Sequence, residues 1–202
     1  DYKTEVDKLP KSEQQDVANS LAKDLDAKQL AKLRPAFSEG DSGKNAVDQA
    51  VDNFGNAQVK ADYPKEVIAN DPAIHGTLTK LGFNQQEIDN ASAKTLTALT
   101  QAAEHVNQQE YGKAFDELKQ LAADGQQALA EKAFSGVARQ IENLPEPVRD
   151  ILTDANAVKE LVNAGGDVVD KLIQGDIPGA VGAIGNNKAL RDAVIDAALK
   201  NP

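Results

Sequence analysis

The chain has 202 residues, 41% of them hydrophobic but only 4% aromatic, and it contains no Cys, Met or Trp. The lack of Cys excludes disulfides, zinc–thiolate sites and thiol catalysis. A formal net charge of −10 repels phosphate backbones and anionic lipid headgroups, which argues against a nucleic-acid-binding protein and against electrostatic attachment to a membrane.

The first ninety residues show short helical patterns that begin at a polar cap and end at Gly or Pro. In a capping box, a side chain at the helix start and another three residues later satisfy each other's backbone N–H groups. Three pairs have this spacing: Ser12 with Gln15, Asp26 with Gln29, and Asn84 with Glu87. Pro35 is expected to end the second of these helices, because proline cannot continue the hydrogen-bond ladder.

Two other features of this region predict helices. Residues 46–54 carry a compact apolar stripe that ends at Gly55, formed by Ala46, Val47, Ala50, Val51 and Phe54. Residues 62–64 and 70–72 each place an Asp just before a proline that can occupy the first helical turn, so each predicts a helix start. We therefore expect about five short helices before residue 90 and no strand.

The longest sustained helical pattern runs from Ser92 to Leu144. Its apolar residues recur at steps of three and four, which places them on one face of a helix. Ser92 is a suitable N-cap and Gly125 a suitable C-terminal cap, while Pro145 and Pro147 close the region. We predict two or three amphipathic helices here that form a longer central hairpin.

The pattern shortens again after residue 145. Asp154 and Asp167 each begin a helix, and Gly residues end both of them. The apolar, glycine-rich segment Ile177–Ile184 is either a close-packed helix or an irregular segment, and we favour buried core over a groove or an oligomer contact. The last helix spans about 188–199, with an inward face composed of Leu190, Val194, Ala197 and Ala198.

These patterns predict an all-α fold, a multi-helix bundle of about nine to eleven mostly short helices around a longer central helical hairpin. We expect a single domain over residues 1–202, with subdivisions near 90 and near 145 as the alternatives. The core is expected to consist of Leu, Val, Ile and Ala, with five Phe as the larger side chains.

Three short segments resemble parts of helical repeats. Residues 110–115 resemble the start of the second helix of a tetratricopeptide repeat, residues 175–180 resemble the turn before it, and residues 157–168 resemble the end of an ankyrin helix. However, Gln101 and Glu104 occupy positions where the tetratricopeptide pattern has small or apolar residues, and the rest of an ankyrin repeat is missing. We interpret these segments as ordinary helical hairpins with Gly and Asp turns.

Few residues suit neutral-pH acid–base chemistry, since the only two histidines are His75 and His105. His105 is expected to share a solvated helix face with Gln101 and Gln109. A glycosidase with two carboxylates has candidates in the central helices, although the lack of Trp leaves little surface on which a sugar could stack. These candidates are Glu104, Glu110 and Glu117.

Residues 41–43 and 52–56 superficially resemble calcium loops, but neither has the alternating oxygen ligands and distal Glu of an EF-hand. We assign no catalytic, cofactor or metal site. The sequence therefore favours a non-enzymatic module that binds another protein, with self-association as a further option. A carbohydrate-polymer hydrolase and a carrier of a small apolar ligand are the alternatives.

The sequence shows no membrane span and no apolar segment typical of a signal peptide. Because the chain begins with Asp1 and has no Met, we expect either a fragment of a longer protein or a processed one. The Cys-free, acidic composition favours a secreted or extracytoplasmic bacterial effector, toxin or surface protein, with a cytoplasmic location as the alternative.

Overall fold

The computed structural model describes residues 2–40 and 42–200. Helices account for 77% of the chain, and no strand occurs within the described ranges, which confirms the all-α prediction. The predicted count of nine to eleven helices was wrong, because the described residues form fifteen α-helices and a short 3-10 helix. The excess comes from short helices such as Tyr2–Asp7, which buries only Val6 and so lacks a periodic apolar stripe. Within the same residues, no helix has both the length and the hydrophobicity needed to cross a membrane.

The described residues fall into two compact units, one within 1–72 and 88–96 and the other within 73–87 and 97–202. The single-domain arrangement stays a prediction. In chain order, the helices are α1 (Tyr2–Asp7), α2 (Lys11–Asp24), α3 (Ala27–Leu33), the 3-10 helix Arg34–Ala36, α4 (Ala46–Phe54), α5 (Ala57–Asn70), α6 (Pro72–Lys80), α7 (Gln85–Asn90), α8 (Ala93–Asn107), α9 (Tyr111–Ala123), α10 (Gln127–Gln140), α11 (Glu146–Thr153), α12 (Ala155–Leu161), α13 (Gly166–Ile173), α14 (Ile177–Ile184) and α15 (Lys188–Leu199).

Two of the three predicted capping boxes are present. Asp26 accepts a hydrogen bond from Gln29 N at 2.8 Å and the Gln29 side chain accepts from Asp26 N at 3.0 Å. Asn84 and Glu87 make the same reciprocal pair at 2.8 and 3.2 Å. The box predicted at Ser12 was wrong, because α2 already begins at Lys11 and Ser12 lies inside its first turn.

The helix start predicted at residues 62–64 was also wrong. The α5 helix begins earlier, where the Asn56 side chain accepts from Val59 N at 2.9 Å, and it continues through Pro64. Tyr63 and Pro64 are both buried, so packing retains a proline that costs the helix one backbone hydrogen bond. Phe54, predicted to be buried, is 42% exposed, and the Lys23 ammonium lies 4.6 Å from its ring centroid.

A buried charged network joins the helices of the first unit. Arg34, which is only 4% exposed, donates from Nε and a terminal nitrogen to the two carboxylate oxygens of Asp48 at 2.8 and 2.9 Å. The Tyr63 hydroxyl donates to the same carboxylate at 2.5 Å. These bonds connect the 3-10 helix, α4 and α5, and they provide donors for a carboxylate that would otherwise be costly to bury.

The second unit has its largest buried side chains between α9 and α10. The rings of Phe115 and Phe134 are both buried, and their centroids lie 4.6 Å apart. Beside them, Gly136 on α10 contacts the backbone of Leu81, since a Cβ built on Gly136 would lie 2.7 Å from the Leu81 carbonyl oxygen. The α10 helix also packs on α11, which in turn packs on α12 and α15.

Replacing Arg34 by Ala is expected to lower the free energy of unfolding by about 3–5 kcal/mol, because the mutation leaves the Asp48 carboxylate without its bidentate partner. Tyr63→Phe removes one donor only and is expected to cost about 1.5–3 kcal/mol. Urea denaturation of the full chain measures both variants. A loss from Arg34→Ala no larger than that from Tyr63→Phe would contradict this account of the network.

Two glycines offer a matched pair of substitutions. Gly136→Ala is expected to destabilise the protein by about 1–3 kcal/mol, because the new methyl group would overlap the Leu81 backbone. Gly182→Ala is expected to stabilise it by about 0.5–1 kcal/mol, because Gly182 lies in α14 with open space at its Cβ position. The two midpoints of thermal unfolding should therefore move in opposite directions, and a shift in the same direction would show that packing at Gly136 is not limiting.

Candidate functional site

The structure brings His105 together with one of the three candidate carboxylates. The His105 side chain is 15% exposed, and its Nδ1 lies 3.4 Å from Glu110 Oε1, while Lys113 Nζ donates to Glu110 Oε2 at 2.6 Å. The hydrogen bond from Lys113, with a smaller contribution from His105, holds the pKa of Glu110 below its usual range. A glycosidase acid needs a raised pKa, so this environment is unsuited to that role.

The other predicted residues lie in separate surroundings. With its amide oriented to donate, Gln101 bonds both carboxylate oxygens of Glu117 at 3.1 and 3.3 Å. Glu104 is half-buried on α8. His75 Nε2 lies 3.3 Å from Gln85 Oε1. The helix face predicted to contain both His105 and Gln109 was wrong, because α8 ends at Asn107 and Gln109 lies in the following turn with φ of 60°.

Of the two segments that resemble calcium loops, 52–56 belongs to helices and a helix cap, and residues 42–43 lie in a turn. Asp52 and Asn53 lie within α4, and Asn56 is the N-cap of α5. In the other segment, the Ser42 hydroxyl donates to Gln49 Oε1 at 2.5 Å, and Asp41 is outside the described residues. Across residues 2–40 and 42–200, no three His, Asp or Glu side chains are arranged to hold a metal ion.

The glycine-rich segment Ile177–Ile184 is a regular helix, α14, but it buries only Ala180 and Ile184. Pro178, Gly182 and Ala183 are exposed. The prediction of buried core therefore holds for one face only, because α14 packs mainly along α13 and meets α15 at few positions.

A cleft of about 430 Å³ lies between the start of α12 and the end of α15. Its wall combines two carboxylates, one ammonium group and apolar side chains. The lining residues are Asp154, Asn156, Ala193, Asp196, Leu199 and Lys200.

Two large apolar side chains of α15 face solvent here, Leu199, which lines the cleft, and Ile195. Ile195 is 41% exposed and Leu199 is 70% exposed, and a spacing of four residues places them next to each other on the helix surface.

The prediction of the buried face of α15 is confirmed for Leu190, Val194 and Ala197, whereas Ala198 is half-buried. The exposed pair was not predicted from the sequence. Ile195 directly follows Val194, which is buried, and this position was the sequence signal that Ile195 lies on another face of the helix.

Asp154 organises the charged side of the cleft. Its Oδ1 accepts hydrogen bonds from the N–H groups of Asn156 and Ala157 at 3.1 and 3.0 Å, and its Oδ2 accepts from Lys200 Nζ at 2.7 Å. The bond from Lys200, followed by that from the Ala157 N–H group, lowers the pKa of Asp154. The same pairing raises the pKa of Lys200, so both groups stay charged near neutral pH.

No protein family, curated protein or solved structure that was compared with the chain matches it.

The Asp154→Asn variant distinguishes the contribution of the ion pair to stability from that of the helix cap, because Asn can still accept hydrogen bonds from the backbone of α12. Since the pKa of Asp154 is lowered on folding, its ionic contribution is present above the usual Asp range and is lost as the pH falls through the lowered value. At pH 7 the unmodified chain is thus expected to have a larger free energy of unfolding than Asp154→Asn. This difference should shrink below about pH 4. Urea denaturation at pH 7, 5 and 3 measures it.

Asp192→Asn is the control for this measurement, because Asp192 pairs with Lys188 on the same helix with both side chains largely exposed. Such a surface pair contributes little at any pH. An advantage over Asp154→Asn that stays constant from pH 7 to pH 3 would contradict the assigned role of the ion pair.

Proposed function

We propose that this chain is a non-enzymatic protein-binding module, and that its binding surface is the exposed pair Ile195 and Leu199 together with the cleft beside them. The expected partner is a positively charged segment of another protein that also presents apolar side chains. The observation that carries the proposal is the exposure of two adjacent large apolar side chains next to a cleft with carboxylates in its wall.

Apolar burial would supply much of the binding energy. Leu199 is 70% exposed, and covering a side chain of this size contributes about 1.5–3 kcal/mol. Exposed apolar patches rimmed by polar groups are typical of interaction sites. An amphipathic helix fits such a surface, because its own apolar residues recur at the same spacing of three and four positions.

Charge favours a cationic partner. Asp196 is an exposed carboxylate in the cleft wall, whereas the Asp154 carboxylate of the same wall is already paired with Lys200. The whole chain has a formal charge of −10, which repels acidic partners and accelerates the association of basic ones. A lysine or arginine on the partner would therefore find a complementary surface next to the apolar pair.

The alternatives gain less support from the geometry. The hydrolase alternative needs a carboxylic acid with a raised pKa, whereas Glu110 is held ionised by Lys113. The carrier alternative predicts a retained small molecule. Native mass spectrometry of the full chain tests it, because a mass above that of the bare chain by a few hundred daltons would favour a carrier.

We further propose that the module belongs to a secreted bacterial effector, toxin or surface protein. The support for this is compositional, since the chain is acidic and free of Cys, a composition that is compatible with export. Fractionation of the bacterium that naturally produces this protein tests it, and the protein is expected in the culture medium or the envelope fraction.

Binding is tested with a synthetic amphipathic peptide that carries Leu on one face and Lys or Arg on the other, titrated into the full chain and followed by amide NMR shifts. We expect the shifts to concentrate on the start of α12 and on α15. Leu199→Asp is expected to weaken binding by roughly tenfold or more, because it removes apolar contact and adds a charge to the interface.

Phe54→Asp is the matched control, since Phe54 is also a large exposed apolar residue but lies in the other unit. It is expected to leave the affinity unchanged. A scrambled peptide of the same composition controls for simple charge attraction. Equal losses of affinity in Leu199→Asp and Phe54→Asp would overturn the proposed partner class. Self-association of the unmodified chain that is abolished by Leu199→Asp would overturn it as well.

A further inference from the structure

The α9 and α13 helices meet where each has a glycine followed four residues later by an aspartate. On α9 these are Gly112 and Asp116, and on α13 they are Gly166 and Asp170. A Cβ built on Gly166 would lie 2.3 Å from the Gly112 carbonyl oxygen. The two backbones are therefore in direct contact, closer than any residue with a side chain would allow.

The aspartates are placed reciprocally across this contact. Asp116 Oδ1 accepts a hydrogen bond from Gly166 N at 2.6 Å. In the other direction, a Cβ built on Gly112 would lie 2.2 Å from Asp170 Oδ2, so the Asp170 carboxylate occupies the space above Gly112. Each helix thus covers the glycine of the other with a carboxylate.

The two carboxylates differ in what satisfies them. Asp116 is exposed and hydrogen-bonded, whereas Asp170 is half-buried. Within the described part of the chain, no hydrogen bond or ion pair reaches the Asp170 carboxylate. Burial of a carboxylate penalises its charged form, and here no donor group among the described residues offsets that penalty.

The charged groups around Asp170 add to this effect. Besides Asp116 on α9, Asp167 lies near it on α13 itself, and α14, which also packs on α13, has no titratable side chain. Burial first, and then the charges of Asp116 and Asp167, raise the pKa of Asp170. Four further charged groups lie on the two helices. Lys113 pairs with Glu110, Glu117 faces Gln101, and Lys119 lies beside Gly165. The fourth is Lys171.

We propose that the crossing of α9 and α13 is a proton-responsive joint, which tightens when Asp170 takes up a proton and loosens when the pH rises toward neutral.

The direction follows from linkage. A group whose pKa is raised on folding binds more protons in the folded state, so its contribution to stability is complete below the usual Asp range and is lost as the pH rises through the raised value. Three other carboxylates of this unit act in the opposite sense, because their pKa values are lowered on folding: Glu87, Glu110 and Asp154. Asp170 and these three groups therefore change the stability of the second unit in opposite directions as the pH rises.

The test compares the full chain with its Asp170→Asn variant between pH 7.5 and pH 5. Amide hydrogen exchange of the buried α13 residues Val168, Val169 and Leu172, corrected for intrinsic rates, reports on this crossing. The unmodified chain is expected to exchange more slowly at pH 5 than at pH 7.5. Asp170→Asn is expected to show the slow exchange at both pH values, because its side chain is always neutral.

Glu142→Gln is the matched control, since Glu142 is an exposed residue of the same unit and its removal changes the net charge equally. It should keep the full pH response. A ¹³C NMR titration of the Asp170 carboxyl group gives a second readout, with protonation expected above the usual Asp range. Protonation within or below that range, or an unchanged pH response in Asp170→Asn, would overturn the proposal.

Discussion

Close approach of helix backbones is the constraint on which the rest of this structure depends. The chain has few large side chains, and alanine is the most frequent residue among its buried hydrophobic positions. Alanine buries little area, so the helices have to come close together before their small side chains touch. Where even alanine is too large, glycine takes its place, as at the Gly136 contact with Leu81 and at the contact between Gly112 and Gly166.

This close packing determines the surroundings of the charged groups near it. In the first unit, the half-buried Asp48 carboxylate receives donors from Arg34 and Tyr63, so its charge is compensated. In the second unit, the approach of α9 and α13 places Asp170 over a bare backbone with two other carboxylates as neighbours. The same residue type is thus a structural anchor in one place and a proton acceptor in the other.

The proposed binding surface results from how α15 is packed. This helix contacts α11 and α12 through one face, and that face leaves Ile195 and Leu199 exposed to solvent. Two of the carboxylates that the sequence offers for catalysis are engaged with neighbours, Glu110 with Lys113 and Glu117 with Gln101. The exposed apolar pair and its adjacent cleft therefore distinguish this end of the second unit.

The sequence by itself determined the all-helical class, the caps at Asp26 and Asn84 and the bounds of α15, because these features depend on residues three or four positions apart. Only the tertiary structure decided that Pro64 continues a helix, since burial of its neighbourhood outweighs the lost hydrogen bond. The tertiary structure alone also placed the Asp170 carboxylate over Gly112 and left the Leu199 side chain exposed to solvent. Such positions depend on which helices meet, and residues far apart in the chain bring those helices together through contacts that no local pattern encodes.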